Sequence, residues 1–136
     1  LKKVNTVCPY CGVGCQLTLH VDEKKNKVIK VSGVEGSPTN DGMLCVKGRY
    51  GFDFVNSKER LLKPLIRDKD GLFREASWEE AITYVAKRFT ETKENNGPDA
   101  ICGLASAKVT NEDNFVFQKF MRTLVGTNSL DHCARL

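Results

Sequence analysis

Cys8, Cys11 and Cys15 stand as C-x2-C-x3-C within CPYCGVGC, and a fourth cysteine, Cys45, follows after 29 intervening residues. Three thiols in one short loop and a fourth on a remote segment suit a [4Fe–4S] cube, because the loop can wrap three corners while the other segment closes the last. A structural zinc site also takes four cysteines, usually as two C-x2-C knuckles, and here the second knuckle is missing. Disulfides fit less well. LKKVNTVC lacks the apolar stretch of a secretory leader, and reduced thiols inside a cell favour metal over bridges. Pro9, Gly12 and Gly14 supply the tight turns and positive φ that a loop folded around a cube requires.

The rest of the composition bounds the setting. The chain has 136 residues, 40% of them hydrophobic, with 21 Lys and Arg against 17 Asp and Glu for a net charge of +4. Opposite charges are interspersed, so nothing demands a nucleic-acid partner. No apolar run approaches a membrane span, and a cytoplasmic chain is expected. The sequence does not begin with Met, which leaves room for a removed leader.

The elements that must position the cysteines follow from periodicity. QLTLHV at 16–21 alternates apolar and polar, DEKKNK is a polar turn, and KVIKVSG at 27–33 repeats the strand pattern, which predicts a β-hairpin. Such a hairpin carries the chain away from the three-cysteine loop and returns it toward Cys45. His20 falls on the polar side of its strand, as a solvated histidine. EGSPTNDGM at 35–43 is a loop. Residues 52–73 read as an irregular connector, extended around LLKPLIR and turning at Asp70-Gly71.

Ser77 and Glu80 form a capping box, and Trp78, Ala81, Ile82, Val85, Ala86 and Phe89 recur at helical spacing, which predicts a helix over 78–95 with a core-facing stripe. DAICGLASA at 99–107 suits a buried parallel strand, with Cys102 as a small core residue. A helix from Thr110 to a stop at Gly126 and a strand over 128–133 complete the pattern. The expected fold class is α/β (α+β overall): a small β-rich cluster domain over 1–60, then a connector and an incomplete parallel-sheet domain over 61–136. His132 and Cys133 are neighbours on one strand, so their side chains point to opposite faces and make no dyad.

VCPYCGVGCQL, GMLCVKGRYGFDF, LLKPLIR, SWEEAI, GPDAICGLASA, NFVFQKFMR and GTNSLDHCARL, in that order, resemble the N-terminal part of molybdopterin-dependent formate dehydrogenase catalytic subunits. The resemblance covers essentially the whole chain. It implies that Cys8, Cys11, Cys15 and Cys45 bind the [4Fe–4S] cluster and that Lys47 relays electrons between cluster and pterin. A cation there also makes physical sense beside an anionic cluster. It further implies a Mo or W bis-molybdopterin guanine dinucleotide in the full-length protein, with formate, the remainder of the catalytic subunit and a redox partner subunit as partners. Arg135 resembles the arginine just before the family's metal ligand, which implies a pterin contact.

In that family a cysteine or selenocysteine metal ligand follows the segment resembling DHCARL. The expectation is therefore that a UGA codon follows Leu136 and was read as a stop, and that this chain alone is inactive. Two other readings stay open at this point. One is a stand-alone zinc or iron–sulfur binding module, acting as electron carrier or nucleic-acid adaptor. The other is the N-terminal part of a nitrate reductase or another molybdopterin oxidoreductase.

Overall fold

A computed structural model of the chain describes residues 1–133, without the side chain of Cys133. Three sheets form among these residues. The first is antiparallel, from β1 (Lys2–Val7), β2 (Gln16–Asp22) and β3 (Lys27–Gly33), with β2 in the middle. Register pairs Lys2 with Val21 and Val7 with Gln16 on one side, and Leu17 with Gly33 on the other, with an irregularity between His20 and Val21. The alternation of QLTLHV thus sends Leu17, Leu19 and Val21 to one face, where Cys8, Leu17, Val28 and Val31 form a buried core with Leu44 and Phe52 against it.

The predicted hairpin is β2–β3. Strand β1 has no counterpart in the sequence reading, because KKVNTV carries only weak alternation and every residue of it is exposed. His20 differs from expectation as well. It is half-buried, and its Nε2 lies 2.9 Å from the Ser32 hydroxyl on β3, so it is paired across the sheet rather than solvated. After β3, a loop leads to α1 (Val46–Tyr50) and a 3-10 turn over Asp53–Asn56. Asn56 at the end of that turn accepts from Val28 N–H at 3.1 Å and donates to Val28 O at 2.8 Å.

The connector is more ordered than expected. β4 (Leu65–Arg67) and β5 (Phe73–Glu75) pair antiparallel on either side of the Asp70-Gly71 turn. Three-residue strands are too short for periodicity to reveal. Then α2 (Trp78–Asn96) starts where the capping box places it, with Glu80 N–H donating to the Ser77 hydroxyl at 3.1 Å. The Ser77 N–H hydrogen-bonds the Glu80 carboxylate in return, and Arg74 pairs with the same carboxylate.

β6 (Gly103–Ser106) and β7 (Leu130–Cys133) pair with α3 (Asn111–Phe120) and a π turn (Met121–Val125) between them, parallel-sheet elements as expected. Gly126 ends this helical run at φ 89°, the left-handed stop that glycine favours.

Two burial expectations fail. No residue of α2 is buried, and Trp78 and Ile82 are 69% and 62% exposed. Cys102 is exposed rather than a core residue, and its neighbour Leu104 is 81% exposed. Helical spacing marks which face could be buried, while burial itself depends on what packs there. The residues form two compact units. One takes Leu1–Arg60 with Ala105–Phe117 and the described residues from His132; the other takes Leu61–Leu104 and Gln118–Asp131.

Candidate metal centre

The three-cysteine loop is the connection of the β1–β2 hairpin. Val7 and Gln16 form the last strand pair, and Cys8 N–H donates to Cys15 O at 2.8 Å immediately beyond it. Cys8 and Cys15 are thereby held opposite one another, with Cys11 in the loop between. Gly14 turns the loop at φ 76°, a conformation that costs other residues roughly 1–2 kcal/mol. Gly12 is needed for a different reason. A Cβ there would overlap the Asn111 carboxamide, whose Nδ2 donates to Gly12 O at 2.7 Å.

Cys45 is the residue before α1, and the helix brings two N–H groups back onto its thiol. Hydrogen bonds from Gly48 N–H and Lys47 N–H, with the Lys47 charge nearby, hold the Cys45 thiol below its ordinary pKa. Cys8 behaves oppositely. It is 5% exposed, and burial pushes its thiol up, against a lowering hydrogen bond from Tyr10 N–H. The neighbouring Cys15, Cys11 and Cys45 push the same thiol further up, so all four sulfurs interact electrostatically around Cys8. Gly48 is buried against this sulfur, and an added Cβ would stand 3.3 Å from Cys8 Sγ.

Tyr10 ties the loop to the far end of α1. Its hydroxyl donates to Gly51 O, and its ring meets Phe54 edge-on at 6.4 Å. Lys47 is exposed on α1. Arg135 lies outside the described residues, and so does the Cys133 side chain.

The donor set distinguishes the two metal readings. Among the described residues no three His, Cys, Asp or Glu side chains converge as a single metal ion would need. A tetrahedral zinc draws its sulfurs to about 2.3 Å from one point, whereas a cube presents four separate irons and accepts sulfurs set further apart. Three thiols around that of Cys8, apolar packing beneath Cys8, and N–H donors on the Cys8 and Cys45 sulfurs fit the cube.

Comparison with known proteins agrees. Residues 1–57 match the molybdopterin oxidoreductase Fe4S4 domain and residues 60–136 match the molybdopterin oxidoreductase domain. The chain belongs to the molybdopterin oxidoreductase family. A [4Fe–4S] cluster and a molybdopterin are the cofactors of these two family domains, as the resemblance implied.

Among relatives of this molybdopterin oxidoreductase chain, Bacillus subtilis YjgC, named provisionally as an oxidoreductase, is 50% identical over 99% of the chain. B. subtilis YrhE and a Staphylococcus aureus protein, both provisionally named formate dehydrogenases, are 48% and 44% identical over 98% and 99% of it. The chain spans 13% of the length of each. The acetylene hydratase from Pelobacter acetylenicus superposes with a TM-score of 0.69 at 22% identity, over 96% of this chain and 18% of that one, a likeness of fold alone. No helix among the described residues is long and apolar enough to cross a membrane.

Sequence reasoning passed over Tyr10, Asn40, Gly48 and Asn111 at this site. Asparagine in a turn-rich loop does signal a side chain able to imitate the backbone. Its partner is invisible without the fold.

Proposed function

We propose that the chain is the electron-transfer N-terminal portion of a formate dehydrogenase catalytic subunit. Cys8, Cys11, Cys15 and Cys45 bind its cluster through thiolate sulfur. The observation that carries this reading is the placement of four thiols by two segments, the β1–β2 loop and the start of α1, with N–H donors on Cys45. A [4Fe–4S] cluster supplies one-electron uptake and release, and a molybdenum or tungsten bis-pterin centre in a longer polypeptide supplies the oxidation of formate to CO2.

The chain's own residues have separate tasks in this proposal. Gly48 and Lys47 N–H groups stabilise negative charge on the Cys45 sulfur, and apolar packing around Cys8 keeps water from its sulfur. The Lys47 ammonium, beside Cys45, favours the more negative, reduced state and serves as electron relay toward the pterin. Arg135, outside the described residues, keeps its proposed pterin contact. Formate rather than another substrate is supported by the provisional names of YrhE and the S. aureus relative. Four free thiols suit a reducing compartment, and we place the protein in the cytoplasm.

Anaerobic reconstitution with iron and sulfide tests the cluster. About four irons and four sulfides per chain are expected, and replacing Cys45 by Ser should bring both to a fraction of that. Zinc in place of iron in the wild-type chain would sink the cluster reading. Lys47→Gln should lower the cluster midpoint potential without lowering iron content, as read by redox titration. For the substrate, a longer subunit containing this sequence should reduce viologen with formate and show no nitrate-dependent viologen oxidation. The opposite result would assign it elsewhere in the family.

A further inference from the structure

Asn40 lies half-buried in the loop between β3 and α1, and its carboxamide is engaged on both sides. Oδ1 accepts from Gln16 N–H at 2.8 Å and from the Ser37 hydroxyl at 3.0 Å. Nδ2 donates to Gln16 O at 3.1 Å and to Met43 O at 2.7 Å. The Asn40 main-chain carbonyl also accepts from Met43 N–H at 2.7 Å. Gln16 directly follows Cys15, and Met43 lies two residues before Cys45.

A carboxamide carries the same donor and acceptor as a peptide group. Asn40 uses both on Gln16, as a neighbouring strand would, and spends its second N–H on the approach to Cys45. One short side chain thus joins the stem of the third cysteine to the stem of the fourth. The β2–β3 ladder already brings Gly33 beside Leu17, so Asn40 closes the remaining stretch from Val34 to Met43, whose closure cost would otherwise oppose cluster binding. Ser37, 5% exposed, holds the carboxamide from behind.

We propose that Asn40 is a positioning residue that sets the separation of Cys15 and Cys45, and through it the retention and redox properties of the cluster. The inference rests on the four-cysteine reading above. No other residue type substitutes well. Aspartate is the same size, yet it offers a carboxylate to Gln16 O and Met43 O where hydrogen-bond donors are needed. Serine is too short to serve both stems. Partners one step removed from a metal ligand commonly govern metal affinity by about 10- to 100-fold.

The test takes Asn40→Asp and Asn40→Ser in the full chain, reconstituted anaerobically beside wild type. Asn5→Asp serves as control, because Asn5 Oδ1 accepts from the Thr18 hydroxyl at 2.8 Å, a role a carboxylate also fills. Iron content, the electron paramagnetic resonance spectrum of the reduced cluster, its midpoint potential and the rate of iron loss to a chelator are read. Both Asn40 variants should lose iron about tenfold faster, with changed g values and a shifted potential, while Asn5→Asp follows wild type.

Wild-type rates, g values and potential in both Asn40 variants would overturn the proposal alone. A wild-type chain that takes up no iron and sulfide would overturn the four-cysteine reading and the proposal with it. Were neither variant to fold, proton exchange in the wild-type chain decides. Asn40 Nδ2 protons exchanging more slowly than those of Asn5 support the proposal, and equal rates overturn it.

Discussion

The cluster unit and the unit containing α2 obtain their order in different ways. Around the cysteines, helices are minimal, and the segments are joined by a small buried core and by side chains that bond to distant backbone: Asn40 to Gln16, Asn56 to Val28, Tyr10 to Gly51. In the other unit the long helix α2 has a working N-cap and paired surface charges, yet none of its residues is buried. The second unit's buried hydrophobic side chains, Ala76, Ile101, Met121 and Val125, lie outside α2. Local signals are enough to start and stop a helix, whereas holding four sulfurs in place takes contacts between residues far apart in sequence.

If that contrast is right, the largest stability loss should come from Leu17→Ala. Leu17 is 3% exposed in the cluster unit's core, and truncating such a residue costs about 2–5 kcal/mol. Ile82→Ala on α2 is the matched test and should change stability by less than about 0.5 kcal/mol. Urea unfolding of the two variants without metal measures both, and equal losses would break the comparison. Next in size is Ser77→Ala, which should cost α2 about 1 kcal/mol through its lost cap, visible as reduced helical circular dichroism.

The smallest effect is a pH dependence in the α2 unit. The Arg74 guanidinium hydrogen-bonds the Glu80 carboxylate and holds its pKa below the ordinary 4.5. A carboxylate depressed in the folded state stabilises above its unfolded value, and that support is lost as pH falls through the folded one. Melting temperature should therefore drop as the pH is lowered below about 4.5, by more in wild type than in Glu80→Gln. The groups are exposed, so the difference should be small and reduced by salt. Identical pH profiles would remove Glu80 from the account.

Much of the fold is legible in the sequence where the signal is local. The β2–β3 hairpin follows from alternation, the start of α2 from Ser77, and the end of the π turn from Gly126. What escapes is set by partners elsewhere. β1 exists because β2 offers it a ladder, and β4 and β5 are too short to show a period. The apolar spacing of Trp78, Ile82 and Val85 says that these residues share a face and nothing about whether that face is covered. At the site, the cysteine spacing announces the chemistry, but the groups that bind the loop to its surroundings are ordinary residues, a tyrosine and two asparagines.

One of those bonds has a consequence in time. Gly12 and its partner Asn111 are 99 residues apart. At ribosomal speeds of about 5–20 residues per second, the loop bearing three of the thiols waits roughly 5–20 s after its own synthesis before that anchor exists. During this interval the nascent thiols are open to oxidants and to metal donors alike.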